Sequence, residues 1–186
     1  DGELGYDPNQ AHYSFDLGKC ADEFKASTLK SSDGKSLWDT GFVMQYVGAS
    51  GFDQGKTMGE ILKTNLSKVN PNFQLQTAEE PFAAVTSEIV AGSLPLFGIG
   101  WIEDFHDPHD WAFPYLSSSG AFSINQHFAK DLQTQLDALI VQAVSTSDQT
   151  ERARLYGQLQ NMAYENALDI FQVQAQGRHY EQDWVK

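Results

Sequence analysis

A dense group of acids, imidazoles and indoles follows the apolar stretch Leu94–Gly100 and supplies the side chains that could do chemistry. Its members are Trp101, Glu103, Asp104, His106, Asp107, His109, Asp110 and Trp111. Carboxylates bind cations or move protons, imidazoles ligate metals, and indoles cover apolar or cationic ligands. In α/β proteins, ligands sit at the carboxyl ends of strands. Because the group follows a predicted strand, it indicates a binding site; the alternative is a polar surface loop above two half-buried tryptophans.

The acids and imidazoles of this group also suggest two kinds of enzyme. Glu103 and Asp104 could form an acid/base pair, but adjacent residues of an extended segment point in opposite directions, which argues against joint action on one substrate. Asp104, His106 and His109 could bind a metal ion and serve a metal-dependent hydrolase. Pro108 interrupts the helical spacing between the two imidazoles, so they need not converge. We therefore expect no metal ion and no other cofactor at this site.

Trp101 and Trp111 indicate a different use of the site. A tryptophan at a strand end can fill the core, but beside a carboxylate it can form the wall of a pocket for a cationic or amphipathic ligand. The glycines of the chain lack the spacing of a phosphate loop or a dinucleotide fingerprint, and no serine lies in a nucleophile elbow. The residues thus favour binding over catalysis.

The composition is that of a globular, acidic protein. Hydrophobic residues make up 41% of the 186 positions, which is enough for one domain with its own core. Lys and Arg number 12 against 25 Asp and Glu, and the net charge is -13. Nucleic acids and anionic membranes bind positively charged protein surfaces, so neither is expected as a partner. Cys20 is the single cysteine, so no internal disulfide can form.

The elements that must position the site alternate between helix and strand. In chain order, hydrophobic periodicity and turn residues predict a helix that begins within Tyr6–Ala11, strand 42–47, helix 54–69, strand 73–77, a short helix between Pro81 and Gly92, strand 94–100, two helices after residue 120 and a strand at 171–175. Asp7, Asp53 and Asp148 are the predicted N-caps of three of these helices. This order predicts an α/β fold with crossover helices.

The segment Gly100–Pro108 resembles the Gly-Trp-x-x-Asp-x-x-Asp-Pro signature of the family 5 extracellular solute-binding proteins. These are the peptide, nickel and oligosaccharide receptors of ABC importers. Tyr6–Ala11 is similar to the helix start Tyr-Asp-Pro-x-x-Ala of the same family. The stretch 136–156 resembles its helical pair, with Asp148 and Arg152 at matching positions. The motifs follow the order of the family over nearly the whole chain, which makes the series specific.

The resemblance implies a fold and a setting. The fold would be an α/β lobe with a mixed sheet and flanking helices, one half of a type II periplasmic-binding-protein architecture. Residues 1–186 would form a single ligand-binding lobe, the C-terminal one, of a longer two-lobed receptor. Its partners would be the N-terminal lobe of the same protein, an ABC-transporter permease and a small ligand, preferably a peptide. The receptor would be a bacterial binding protein, not an enzyme, in the periplasm or lipid-anchored at the outer face of the cell membrane.

The resemblance also implies roles within the site. Asp104 is at the position whose carboxylate pairs with the α-amino group of a peptide ligand, and Trp101 is at the neighbouring wall position. Phe105 and Trp111 complete the expected set of ligand-binding residues. An oligosaccharide receptor of the same fold is the alternative, in which Trp101 and Trp111 would stack on sugar rings.

Overall fold

The computed structural model describes residues 4–172 and residue 184. Helices and strands alternate in the first half of the chain, and helices alone follow in the second half of the described part. The elements are α1 Leu17–Ala26, α2 Leu37–Thr40, β1 Phe42–Ala49, α3 Asp53–Val69, β2 Phe73–Glu80, α4 Phe82–Ala91, β3 Phe97–Gly98, α5 Pro108–Leu116, a 3-10 helix Ser123–Asn125, α6 Lys130–Ser145 and α7 Gln149–Glu165. The described helices include none that is both long and apolar enough to cross a membrane.

The described strands form one parallel sheet in the order β2-β1-β3. β1 pairs with β2 along its whole length, whereas β3 contributes only Phe97 and Gly98, opposite Val47 and Gly48. Parallel strands end at the same edge of a sheet, so the loop that follows β3 leaves from the carboxyl edge. The predicted α/β class is confirmed, and the predicted strand 94–100 is reduced to its two paired residues.

The N-terminal helix does not begin where the sequence predicts. Asp7 accepts a hydrogen bond from the Asn9 amide at 2.8 Å and closes a turn, so Tyr6–Ala11 does not start a helix. α1 begins instead after Asp16, whose carboxylate accepts from the Lys19 amide at 3.0 Å. An Asx turn and a helix cap use the same bond from a backbone amide to a side chain, so a lone Asp cannot distinguish them.

Of the two later predicted N-caps, Asp148 is confirmed and Asp53 is wrong. α3 includes Asp53 as its first residue, so that its N-cap is Phe52 and the carboxylate lies in the first turn, where the helix dipole favours negative charge. Asp148 caps α7 as predicted and accepts from the amides of Thr150 and Glu151 at 2.9 and 3.1 Å. Of the last predicted strand, Phe171 is exposed and unpaired, and positions 173–175 lie outside the described residues.

Two apolar clusters form the core. The first joins α5, α6 and α7, and its buried members are Ala112, Leu116, Leu136, Ile140, Ala143, Leu155, Tyr156, Leu159 and Ala163. The second lies between β1, α4 and the 3-10 helix, and its buried members are Val47, Val85, Ile89 and Phe122. Trp101 is half-buried against the second cluster, and Tyr115 packs against both. The candidate site therefore rests on the junction of the two clusters.

Glycines make room for Tyr46 beneath the start of the site. This ring is 2% exposed, and its hydroxyl donates to the Gly55 carbonyl oxygen at 2.7 Å. A Cβ at Gly59 would lie 2.6 Å from the ring, and one at Gly98 would overlap the hydroxyl. β1, α3 and β3 can pack together only because Gly59 and Gly98 lack side chains. Tyr46 thus fixes the strand from which the site loop leaves.

Candidate functional site

The site loop, residues 99–107, connects β3 to α5 and ends at a helix cap. Asp107 has extended backbone and accepts from the His109 amide at 2.8 Å, while Pro108 occupies the first turn of the helix. Proline suits this position because its φ is already helical and its missing N–H would be unsatisfied there in any case. Pro108 was expected to interrupt the helical spacing of the two imidazoles, but it begins a helix instead. This helix, α5, is not among the elements predicted from the sequence.

Asp110 holds the site loop in place from the first turn of α5. It is 6% exposed, and its Oδ2 accepts from the indole Nε1 of Trp101 at 3.2 Å and from the backbone amide of Asp104 at 2.7 Å. One buried carboxylate oxygen therefore positions both the expected aromatic wall and the expected ligand-binding acid. Hydrogen bonds to an ionised acceptor are roughly twice as strong as neutral ones, which suits this positioning role.

Asp107 ties the end of the loop to α7. Its carboxylate accepts two hydrogen bonds from the Arg152 guanidinium, at 2.8 and 2.7 Å. Arg152 also donates from Nε to the Ala143 carbonyl oxygen at 3.1 Å and lies over the Tyr156 ring. The guanidinium bonds lower the pKa of Asp107 despite its partial burial. The planar forks of both groups match, so this pair fixes the orientation of α5 against α7.

Glu103 makes contacts within the loop and with α5. Its Oε2 accepts from the Trp111 indole Nε1 at 3.4 Å, and its Oε1 lies 3.4 Å from Nδ1 of His106. Trp111 is half-buried, so its N–H is turned toward this acid and part of its ring stays accessible. The structure thus gives the two adjacent acids Glu103 and Asp104 different surroundings, which fits the expectation that they do not act together.

Asp104 differs from the other acids of the group. Its backbone amide is held by Asp110, yet its side chain is exposed, and within residues 4–172 no hydrogen bond or ion pair engages its carboxylate. Phe105 follows with 54% of its surface exposed, and Ile102 precedes with 87%. Exposed apolar side chains on both sides of a positioned carboxylate offer charge recognition together with apolar contact.

Trp101 is held by both core packing and a hydrogen bond, which the sequence alone did not predict. Its ring meets Phe122 edge to face at a centroid distance of 5.7 Å, and its N–H is bonded to Asp110. The ring remains half-exposed, so one part of it can still face a ligand. The sequence suggested two alternative roles for Trp101, core packing or the wall of a pocket. In the structure its ring packs against the core and also keeps a partly open surface.

The two imidazoles of the group lie in different surroundings. Within the described residues, Nδ1 of His109 is buried without a hydrogen-bond partner, and the ring packs against Phe113 at 5.4 Å, whereas His106 is exposed beside Glu103. Among the residues that the structure describes, no group of three or more His, Cys, Asp and Glu side chains could hold a metal ion. The arrangement of Asp104, His106 and His109 therefore gives the hydrolase alternative no coordination site.

The loop lies apart from a groove on the helical part of the chain. An open groove of about 460 Å³ runs between α6 and α7 and is lined by Gln135, Ala138, Leu139, Gln142, Gln158, Asn161 and Met162. It contains no residue of the site loop. Since small-molecule sites usually bury 70–90% of their ligand, the exposed surface around Asp104 needs a second surface to close it.

Known proteins with similar sequences are binding proteins. No protein-family model matches the chain. Heme-binding protein A of Haemophilus influenzae is 28% identical over 147 residues, which are 78% of this chain and 26% of that protein. Di/tripeptide-binding protein 4 of Pseudomonas aeruginosa is 30% identical over 108 residues, which are 58% of this chain and 20% of that protein. The chain thus spans about a quarter of the length of the curated relatives that it matches.

A solved structure with the same fold is the periplasmic binding protein DppA of Helicobacter pylori, which is associated with an ABC transporter and was determined in complex with the peptide STSA. It superposes with a TM-score of 0.72 at 19% identity, over 89% of this chain and 30% of the chain of DppA. Similarity at this identity establishes the fold, and both curated relatives are likewise named as binding proteins. The chain has the fold of one lobe of the family 5 solute-binding proteins, as the motif series predicted.

Proposed function

We propose that this chain is the ligand-binding lobe of the substrate-binding component of an ABC importer, and that it captures di- or oligopeptides. The observation that carries the proposal is the exposed carboxylate of Asp104 at the carboxyl edge of a parallel sheet. Its backbone is held by the buried Asp110, while its side chain is open to a ligand. The named peptide ligands of DppA and of the Pseudomonas relative support a peptide as the ligand.

The recognition chemistry follows from this arrangement. The ammonium group of a peptide N-terminus would pair with the Asp104 carboxylate in a charge-assisted hydrogen bond. Trp101 and Trp111 would line the same region, and a positive charge near an indole face gains further attraction. Phe105 would contact an apolar part of the ligand, since 54% of its surface is exposed next to Asp104. These four residues are the proposed ligand-binding set.

The partners follow from the share of the relatives that the chain covers. We assign residues 1–186 to a single lobe, and a second lobe of the same protein would close the cleft over Asp104. An ABC-transporter permease would receive the ligand from the closed receptor. The receptor would lie outside the cytoplasm, in the periplasm or at the outer face of the membrane. This location is supported by DppA, which is named as a periplasmic binding protein.

An oligosaccharide ligand is less well supported by the positions of the two indoles. An oligosaccharide receptor would stack sugar rings on broad, open tryptophan faces. Trp101 is instead half-buried against Phe122, with its N–H bonded to Asp110, and the Trp111 N–H is turned to Glu103. A carboxylate open to a charged ligand is the better-supported feature of the site.

The proposal is tested by Asp104→Asn in the two-lobed receptor that contains this chain. The substitution keeps the size of the side chain and one oxygen acceptor but removes the charge. Removal of one member of a buried charge pair costs about 3–5 kcal/mol, so peptide affinity should fall by roughly a hundred- to several-thousand-fold in calorimetry.

Two controls accompany this measurement. Glu103→Gln makes the same chemical change at the adjacent acid, whose partners are Trp111 and His106, and should leave peptide affinity nearly unchanged. N-acetylated peptides have no ammonium group, so they should bind weakly to the wild type and lose much less on Asp104→Asn. Wild-type affinity of Asp104→Asn for free-amine peptides would refute the amine-binding role.

A further inference from the structure

Gln126 and Asp169 form a half-buried polar pair away from the site loop. Gln126 follows the 3-10 helix, and Asp169 follows the end of α7. Nε2 of Gln126 donates to Oδ1 of Asp169 at 2.7 Å. The two residues are 43 positions apart in the chain, so the bond joins two connections that are distant in sequence.

Each member of the pair has one further polar atom without a partner among the described residues. Oε1 of Gln126 and Oδ2 of Asp169 are both buried atoms, and neither makes a hydrogen bond within the described part of the chain. A buried polar atom without a partner costs about 1–3 kcal/mol. An amide group and a carboxyl group are both planar and each ends in two polar atoms, so they can form two parallel hydrogen bonds with each other. A proton on Oδ2 of Asp169 would supply the one donor that the remaining half of the pair lacks.

The backbone on both sides of the pair adopts an unusual conformation. His127, next to Gln126, has φ 53°, and Ala167, two residues before Asp169, has φ 47°. These are the two non-glycine residues with positive φ in the described part of the chain. Such conformations cost energy and persist where the surrounding structure fixes them. The Gln126–Asp169 bond is a contact that can hold both connections in this state.

The surroundings of Asp169 favour the neutral acid. Among the described residues, Tyr115 of α5 is the titratable group near it; His127, beside Gln126, is exposed, and no described cation pairs with Asp169. Burial raises the pKa of Asp169, although the bond from Gln126 works against this. Burial, together with the nearby Asp169, raises the pKa of Tyr115 to about 12, so that the phenol remains neutral.

The pair also lies at one end of a row of rings that leads to the candidate site. Tyr115 contacts Phe122 at a centroid distance of 4.9 Å, and Phe122 contacts Trp101 at 5.7 Å. We propose that Asp169 carries a proton on Oδ2 and forms a cyclic carboxylic acid–amide pair with Gln126. This pair connects the end of α7 to the row of rings beneath Trp101. Loss of the proton leaves a charge and two acceptor oxygens without donors in a half-buried place, and it weakens this connection.

The inference is independent of the proposed function, because it concerns a protonation state of the lobe without ligand. It is tested by the stability of Asp169→Asn. Asparagine reproduces the protonated acid, since it offers an oxygen to Nε2 of Gln126 and an N–H to Oε1. A carboxyl whose folded pKa is raised stabilises the fold below its unfolded pKa of about 3.9, and this contribution is lost as the pH rises through the folded value.

The difference in Tm between Asp169→Asn and the wild type should therefore be near zero at about pH 4, which is close to the ordinary Asp pKa, and should grow with pH. At pH 8 the variant should melt roughly 2–4 °C higher, the shift expected for a modest stabilisation in a chain of this length. Glu23→Gln is the matched control, because it removes one charge from an exposed helix position. Its difference from the wild type should not follow the same pH profile.

A second measurement needs no variant. The ¹³C chemical shift of the Asp169 carboxyl should report a protonated acid at pH values where an ordinary Asp, with a pKa of about 3.9, is ionised. The proposal is overturned if that carboxyl is already ionised at pH 5, or if the Tm difference for Asp169→Asn is independent of pH or equal to that of the control. Changes in peptide affinity play no part in either readout.

Discussion

The substitution Asp110→Ala tests whether one buried carboxylate holds the site loop. The Asp110 side chain accepts two hydrogen bonds through Oδ2, from the Trp101 indole and from the Asp104 amide. A hydrogen bond to a charged group contributes about 1.5–3 kcal/mol, so the loss of both bonds would cost about 3–6 kcal/mol if nothing replaced them. Water can reach the exposed loop and replace part of this, so we expect the lower end, about 3 kcal/mol.

This loss is large against the total stability of a domain, which is typically about 5–15 kcal/mol. Urea denaturation should show a lower midpoint with an unchanged slope, because the surface exposed on unfolding stays the same. The corresponding fall in Tm is roughly 6–12 °C for a chain of this size. Hydrogen exchange of the Trp101 indole N–H should also become faster, which locates the change at the loop.

Asp104→Ala is the matched control for this experiment. It removes the same side chain type six positions earlier, from the site loop itself, but this side chain is exposed and has no partner among the described residues. Its stability should stay within about 0.5 kcal/mol of the wild type. If Asp110→Ala costs less than about 1 kcal/mol, which is below the value of a single charged hydrogen bond, Asp110 does not hold the loop and the assignment of roles between the two acids fails.

Two further predictions concern acid and metal. The Arg152 guanidinium lowers the pKa of Asp107, so their pair stabilises the fold above the unfolded Asp pKa of about 3.9 and is lost as the pH falls through the lower folded value. Asp107→Asn should lower Tm at pH 7, and this deficit should shrink as the pH falls below about 4; an equal deficit at pH 7 and pH 3 would contradict the pairing. Zinc should leave Tm unchanged, whereas a ligand of the folded state at 100 times its Kd adds about 2.7 kcal/mol. A zinc-dependent rise that disappears in the double variant His106→Ala/His109→Ala would restore the hydrolase alternative.

The periodic parts of the fold were predictable because burial repeats with the period of the element. The 3.6 period placed α3, and Asp148 gave the start of α7, since a side-chain cap is a local interaction. β3 was predicted too long because an apolar run reports burial but not strand pairing. Pro108 was misread because proline both interrupts and begins helices, and the capping residue Asp107 was the local signal that could have identified α5.

The separate roles of the site acids could not be read from the sequence. Asp104, Asp107 and Asp110 are the same residue type within one short stretch, and local pattern marks Asp107 as a helix cap but does not indicate the ion pair of Asp107 or the burial of Asp110. Asp107 acquires its role from Arg152, which is 45 positions away, and Asp110 from burial under the loop that precedes it. Such contacts depend on how α5 packs against α7. The resemblance identified Asp104 as the ligand-binding candidate, and its structural surroundings now motivate the test.

The position of Asp110 beneath the site loop has an evolutionary consequence. The bonds that shape the loop run to the Trp101 indole and to a backbone amide, so they do not depend on which side chains occupy positions 102 and 105. Ile102 and Phe105 are exposed and can be exchanged with little effect on folding. Descendants of one ancestral lobe could therefore acquire new ligands through substitutions at these two positions while selection on stability acts mainly on the buried acid.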